Sequence, residues 1–190
     1  MKADRSLGSH TSLVLAVASM ATLMVVAVMA MDLFADHALG TGEQLAWRAQ
    51  LQKVDAALAW NDVSAAELAW REAYAAALKS RHWEGMVAVG DAYRQVGDSG
   101  GFRQAARAKA RQSYLTALFR ARGEGSVDGV LRVAERFAEL GDRDVVERCI
   151  RVAWTVAAQA KDTLAQQSVR AFTERWEAHA LEAEPQTFTP

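Results

Sequence analysis

Proline is nearly missing from this chain. Pro185 and Pro190 are the only two, both at the C-terminal end, so nothing before them removes a backbone donor or forces a helix to stop. Cysteine occurs once, as Cys149, which excludes an intramolecular disulfide and any cysteine-built zinc motif. Its place on the apolar stripe of an expected helix makes it a buried, inert thiol. Histidine is sparse and scattered, at His10, His37, His82 and His179. There is no H-E-x-x-H, C-x-x-C, P-loop, G-x-G-x-x-G or G-x-S-x-G motif. His82 and Glu84 stand two apart near an expected helix start, where they would not share a face, so no metal is expected there. The reading is of a non-enzyme with no catalytic residue, no cofactor and no metal. Strong charge is lacking too. At −1 overall, the chain is a poor candidate for global attraction to nucleic acid. No stretch reads as a convincing strand, so the expected fold class is all-α.

One long apolar run is present. Thr11–Met31 carries no charge, proline or glycine, and as a helix it would span about 30 Å, the thickness of a bilayer's hydrocarbon core. Lys2 and Arg5 precede it; Asp32, Asp36 and Glu43 follow, with no basic side chain until Arg48. Positive residues stay on the cytoplasmic side. The expected organisation is a cytoplasmic N-terminus (1–10), a transmembrane signal anchor (11–34), a linker (35–42), an α-helical domain (43–183) and a flexible tail (184–190). The domain would then lie in the periplasm, held at a bacterial inner membrane by a single pass. A cleaved secretory signal is the competing reading. Val28-Met29-Ala30 offers a small-residue cleavage pattern, but a signal's apolar core is about 7–15 residues, shorter than this run.

Beyond the linker the apolar residues fall at helical spacing. Trp47, Leu51, Val54 and Leu58 predict a helix over about 43–60. Ser64 and Glu67 make a capping-box pattern for a second, about 65–79, packing through Leu68, Tyr74, Ala77 and Leu78. A third, about 82–96, carries Trp83, Met86, Val89, Gly90, Tyr93 and Val96 and is expected to stop at Gly97. A fourth (about 102–122) ends at Gly123. Ser126 caps a fifth (127–140), Asp142 a sixth (143–160) and Asp162 a seventh (163–183), the last packing through Leu164, Phe172 and Trp176. The six tryptophans, Trp47, Trp60, Trp70, Trp83, Trp154 and Trp176, mostly fall on apolar faces and are expected to pack between helices.

Two segments match at a fixed offset that carries Met86, Val89, Gly90, Tyr93, Gly97 and Asp98 onto Val130, Val133, Ala134, Phe137, Gly141 and Asp142. A lone pair of short helices cannot bury its apolar face; stacked pairs can. Val89-Gly90-x-x-Tyr93-x-x-x-Gly97 resembles the first helix of a tetratricopeptide repeat, and Ala110-x-x-x-Tyr114-x-x-Ala117-Leu118 its second. Ala134-x-x-Phe137-x-x-x-Gly141 is a weaker copy of the first, and Trp70-x-x-x-Tyr74-x-x-Ala77-Leu78 resembles another second helix. The resemblance covers roughly residues 64–160. The period exceeds the family's 34 or so residues, and the proline after its second helix is missing. It implies antiparallel helix pairs stacked after the transmembrane helix, with partner peptides lying along the first helices. Carried over, that gives a mostly acidic face of Glu84, Val87, Asp91, Arg94, Gln95, Asp128, Leu131, Glu135 and Glu139, suited to a basic or amphipathic segment.

The fourth expected helix has six basic residues and no acid between Phe102 and Arg122. Arg103, Arg107 and Arg111 recur every fourth position as one stripe. Such a stripe is either paired with acids of neighbouring helices or a docking site for an acidic partner or anionic headgroups. The functional expectation is a membrane-anchored adaptor that binds protein partners, touches the bilayer through 11–34 and binds no nucleic acid. The alternative is an accessory subunit of a membrane complex, in which Ala16, Ala18, Ser19, Ala21 and Ala27 let the spanning helix pack closely against others.

Overall fold

A computed structural model describes residues 46–183. Among the described residues all regular structure is helical: α1 (46–59), α2 (Val63–Ser80), α3 (Trp83–Gly100), α4 (Arg103–Gly123), α5 (Val127–Leu140), α6 (Arg143–Ala160) and α7 (Thr163–Ala183). No helix among them is long and apolar enough to cross a membrane, and the Thr11–Met31 run lies outside them.

Consecutive helices pack on one another from α2 to α7. Thinner contacts join α3 to α5, α4 to α6 and α5 to α7, and among α2–α7 no backbone contact links helices further apart. The domain is therefore helical-repeat-like, an open stack with no closed bundle. α3, α5 and α7 lie side by side in one layer, and α4 and α6 in the other. The spacing is irregular, because α3 and α4 are longer than α5 and α6: first helices start at Trp83, Val127 and Thr163.

A main core runs through the stack from Trp47 to Phe172, with Met86, Tyr114, Phe137 and Val146 fully buried. A smaller one under α1–α3 gathers Val54, Ala66, Ala69, Trp70, Ala92 and Val96. In it the Trp70 indole donates to the Val89 carbonyl at 2.7 Å and lies 4.2 Å, centroid to centroid, from Tyr93. α3 and α4 approach closely because α3 lacks side chains where α4 comes in. A Cβ placed on Gly97 would lie 2.1 Å from the Ala106 Cβ, and one on Gly90 would lie 2.4 Å from the Tyr114 ring.

Several ends differ from expectation for local reasons. α3 does not stop at Gly97, which is a contact glycine inside the helix. It runs to Gly100, and Gly101 takes the left-handed conformation with φ 76°. α2 begins before the Ser64–Glu67 box, because the Asp62 carboxylate accepts from the Ala65 N–H at 2.9 Å. Ser126 caps α5 by accepting from Gly129, and Asp162 caps α7 by accepting from Leu164 and Ala165, as expected. Asp142 holds the N-cap position of α6 but makes no capping bond; its carboxylate is paired with Arg111. Leu68, Leu78, Leu164 and Trp60 were expected to pack and are exposed, Trp60 at 87%.

Candidate functional site

The expected partner face lies along α3 and α5, but the seam between these helices is filled from within. Arg136 of α5 reaches Asp91 of α3 at 2.9 Å and Glu139 of its own helix at 2.6 Å. Arg94 of α3 reaches Glu139 at 2.5 Å, and the buried Tyr114 hydroxyl donates to Asp91 at 2.7 Å. Four charges of alternating sign and one phenol thus lock three helices together. Burial alone would raise the Glu139 carboxyl. Hydrogen bonds and charge from Arg94 and Arg136 outweigh it and hold that carboxyl below its ordinary value. Tyr114 is pushed up by burial and by the Asp91 charge, so it stays a phenol and a donor.

The nine expected partner residues therefore separate. Val87 is buried at 5% exposure and offers a partner no side chain. Asp91, Arg94 and Glu139 belong to the internal network, while Gln95 is exposed. Glu84 turns toward His82 and Glu124 at the start of α3. Asp128, Leu131 and Glu135 do border open space, in a cleft of about 690 Å³ between α5 and α7. Phe172 and Arg175 of α7 form its other wall. An adjoining cleft of about 770 Å³ continues past Glu139 and Gly141 to Trp176 and His179. Its floor is apolar, from Ala138, Phe172 and Trp176, and its rim mixes Glu135 and Glu139 with Arg143 and Arg175. The face is mixed in charge, less acidic than expected, because Arg132 of α5, Arg143 of α6 and Arg175 of α7 border the two clefts.

Sequence reasoning assigned Phe172 and Trp176 to packing and passed over Arg175. Their spacing does put all three on one helical face, which is the signal that could have found them.

The basic stripe is largely engaged inside the fold. Arg111 pairs with Asp142 and lies over the Phe137 ring at 5.6 Å, and Arg107 donates to the Glu139 carbonyl at 3.3 Å. Arg103 pairs at 2.8 Å with Asp98 and stays exposed. Further along α4, Arg120 caps the end of α2 by donating to the carbonyls of Ala77 and Leu78, and it also reaches the His82 carbonyl. Cys149 is fully buried, and burial pushes its thiol up to about 12, so it is unreactive as expected.

One cluster was not foreseen. Glu124, just past α4, comes beside His82 and Glu84. The Glu124 carboxyl is raised by burial and by the Glu84 charge, partly offset by His82.

No protein-family model, no curated protein and no solved structure matches the chain.

Proposed function

We propose that this chain is a non-catalytic adaptor that holds a protein partner at the extracytoplasmic face of a bacterial inner membrane. The apolar Thr11–Met31 run is the tether, and the tetratricopeptide-like stack is the binding part. The observation that supports binding is the open α5–α7 seam. It offers an apolar floor of Ala138 and Trp176, laid over the buried Phe172, within a rim of both charges, where the α3–α5 seam is closed by its own ion pairs. A groove of that shape suits an amphipathic segment laid along the two helices, its apolar side inward and its charges alternating to meet Glu135 and Arg175.

Site-specific photo-crosslinking in native membranes tests this. A crosslinker at Leu131 or Arg175 is expected to trap one partner, and one at Gln159, between α4 and α6 on the other layer, is not. Equal yields from the two faces, or none from the groove, would remove the seam as the binding site. Replacing Thr11–Met31 with an unrelated apolar helix addresses the tether. An adaptor keeps its partner after the exchange, whereas a subunit held by the small residues of that run loses its complex.

A further inference from the structure

We infer that the outer face of α4 and α6 is a docking surface for anionic phospholipid headgroups, centred on Arg122, Arg148 and Arg151. The inference rests on the tethered arrangement proposed above, which keeps the domain within reach of lipid. The two layers of the stack differ in charge. α3, α5 and α7 each carry more acids than bases, whereas α6 carries more bases than acids and α4 has six bases and no acid. Of the α4 arginines, Arg107, Arg111 and Arg120 are engaged inside the fold and Arg103 is paired with Asp98, but Arg122 is not.

Arg122, in the last turn of α4, lines one cleft of about 260 Å³ with Arg148 and Arg151 of α6. All three are exposed, and among the described residues none of them belongs to an ion pair. The last acid of α6, Glu147, pairs with Arg143 at 3.6 Å. Thr155 and Gln159 complete the polar wall, so the cleft is lined by donors and by no acid. Guanidiniums gathered round one concavity repel each other until an anion joins them. Their planar forks match the oxygens of a phosphate.

The second observation is apolar and selects the source of that phosphate. Phe119, three residues before Arg122 on the same helical face, is 71% exposed. An exposed ring beside unpaired arginines suits a lipid surface, where the ring enters the acyl boundary and the guanidiniums stay with the headgroups. A free phosphate would use the arginines and leave Phe119 in water. With α4 and α6 against lipid, the α5–α7 groove is left open to a protein partner.

The test uses the full chain in nanodiscs of phosphatidylcholine alone, or of phosphatidylcholine mixed with phosphatidylglycerol. Gln159→Cys carries a polarity-sensitive dye; Cys149 is fully buried and stays unlabelled. The dye emission is expected to move to shorter wavelength in the anionic discs only, and to return in high salt. An arginine at the headgroups is worth roughly fivefold in association, so Arg122→Gln, Arg148→Gln and Arg151→Gln together should abolish the shift. The same change on the opposite layer, at Arg132, Arg170 and Arg175, should keep it. Lysine at 122, 148 and 151 should restore it, which separates lost charge from lost folding. An inserted chain that shows no shift, or an equal shift in both discs, would overturn the proposal. So would a melting temperature raised by inorganic phosphate without any response to phosphatidylglycerol, which would make the cleft a free-anion site. A chain that enters neither disc defeats the tether by itself. Co-sedimentation with phosphatidylglycerol vesicles then reads the same face, and equal recovery of the parent and the triple glutamine variant would overturn the docking surface.

Discussion

The α3–α4 hairpin and the α5–α7 seam each set two helices side by side and treat the space between them in opposite ways. In the hairpin, glycines at 90 and 97 remove side chains so that Tyr114 and Ala106 fill the gap. At the seam, Phe172 and Trp176 line a gap that nothing in the described residues fills. The adjoining α3–α5 seam shows that such a gap can be closed by charge alone, through Asp91, Arg94, Arg136 and Glu139. Closed seams are held by contacts internal to the stack; the open one is where the proposed partner would add contacts without first displacing internal ones.

The largest effect is expected from breaking the closed side. Gly97→Ala puts a Cβ 2.1 Å from that of Ala106, so the two helices must part. Overpacking of this kind costs about 1–3 kcal/mol, against a helix-propensity gain of under about 1 kcal/mol. At 2.1 Å from another helix's Cβ the clash belongs at the top of that range, so a net loss of roughly 2 kcal/mol is expected in urea unfolding. Adding Ala106→Gly should recover most of it, because the missing methyl has only changed helices. Gly123→Ala is the contrasting case. Nothing lies within 4 Å of its would-be Cβ, so a small gain of about 0.5 kcal/mol is expected. If Gly97→Ala is neutral, the close approach does not hold the hairpin.

Next in size is Tyr114→Phe, which removes the phenol donating to Asp91 while keeping the ring against Gly90. A hydrogen bond to a charged acceptor is worth about 1.5–3 kcal/mol, and this one belongs at the low end because Arg136 also serves Asp91. The same unfolding measurement should show a loss in that range, and less in an Asp91→Asn background, since the two groups share one bond.

How much of this could be read from residues alone depends on whether the signal was local. α5 and α6 begin and end where expected, and α7 begins there, because Ser126, Gly141 and Asp162 act on backbone groups within a few residues. Gly97 misled because a glycine that ends a helix and a glycine that admits a neighbour look alike in one dimension. Asp142 misled because a capping carboxylate can be drawn off by a guanidinium, here Arg111, supplied from another helix. The α3 half of the expected partner face is covered from within the fold, because Arg136 and Glu139 close over it from α5, more than forty positions later in the chain. Helical periodicity marks a face as polar or apolar; what covers that face is decided by distant residues. Glu124 joins His82 and Glu84 for the same reason, and their spacing of two gave no hint of it.

A weaker effect tests the electrostatic closure of the α3–α5 seam. Glu139 is held below the ordinary carboxylate value in the folded state, so its contribution is full above the unfolded value. It is lost as pH falls through the folded one. The urea midpoint should therefore fall on acidification below about pH 4.5, and Glu139→Gln should flatten that slope. An unchanged slope would mean that the Arg94 and Arg136 pairs are no stronger in the native state than in the unfolded chain.

The smallest stability effect is expected at the open side, and there the smallness itself is informative. Glu135 borders both clefts and, among the described residues, pairs only with Arg132, at 3.4 Å on its own helix. Exposed pairs of this kind are worth a few tenths of a kcal/mol, so Glu135→Arg should leave unfolding within about 0.5 kcal/mol of the parent. A partner laid in the seam would meet a reversed charge on the rim, which costs association rate and specificity far more than it costs the fold. Crosslinking through Leu131 should then fall severalfold in native membranes while the melting temperature holds. A fall in both together would mean that Glu135 supports the stack. No fall in either would mean that the partner, if it binds this face, approaches from the Trp176 end and never reaches the α5 rim.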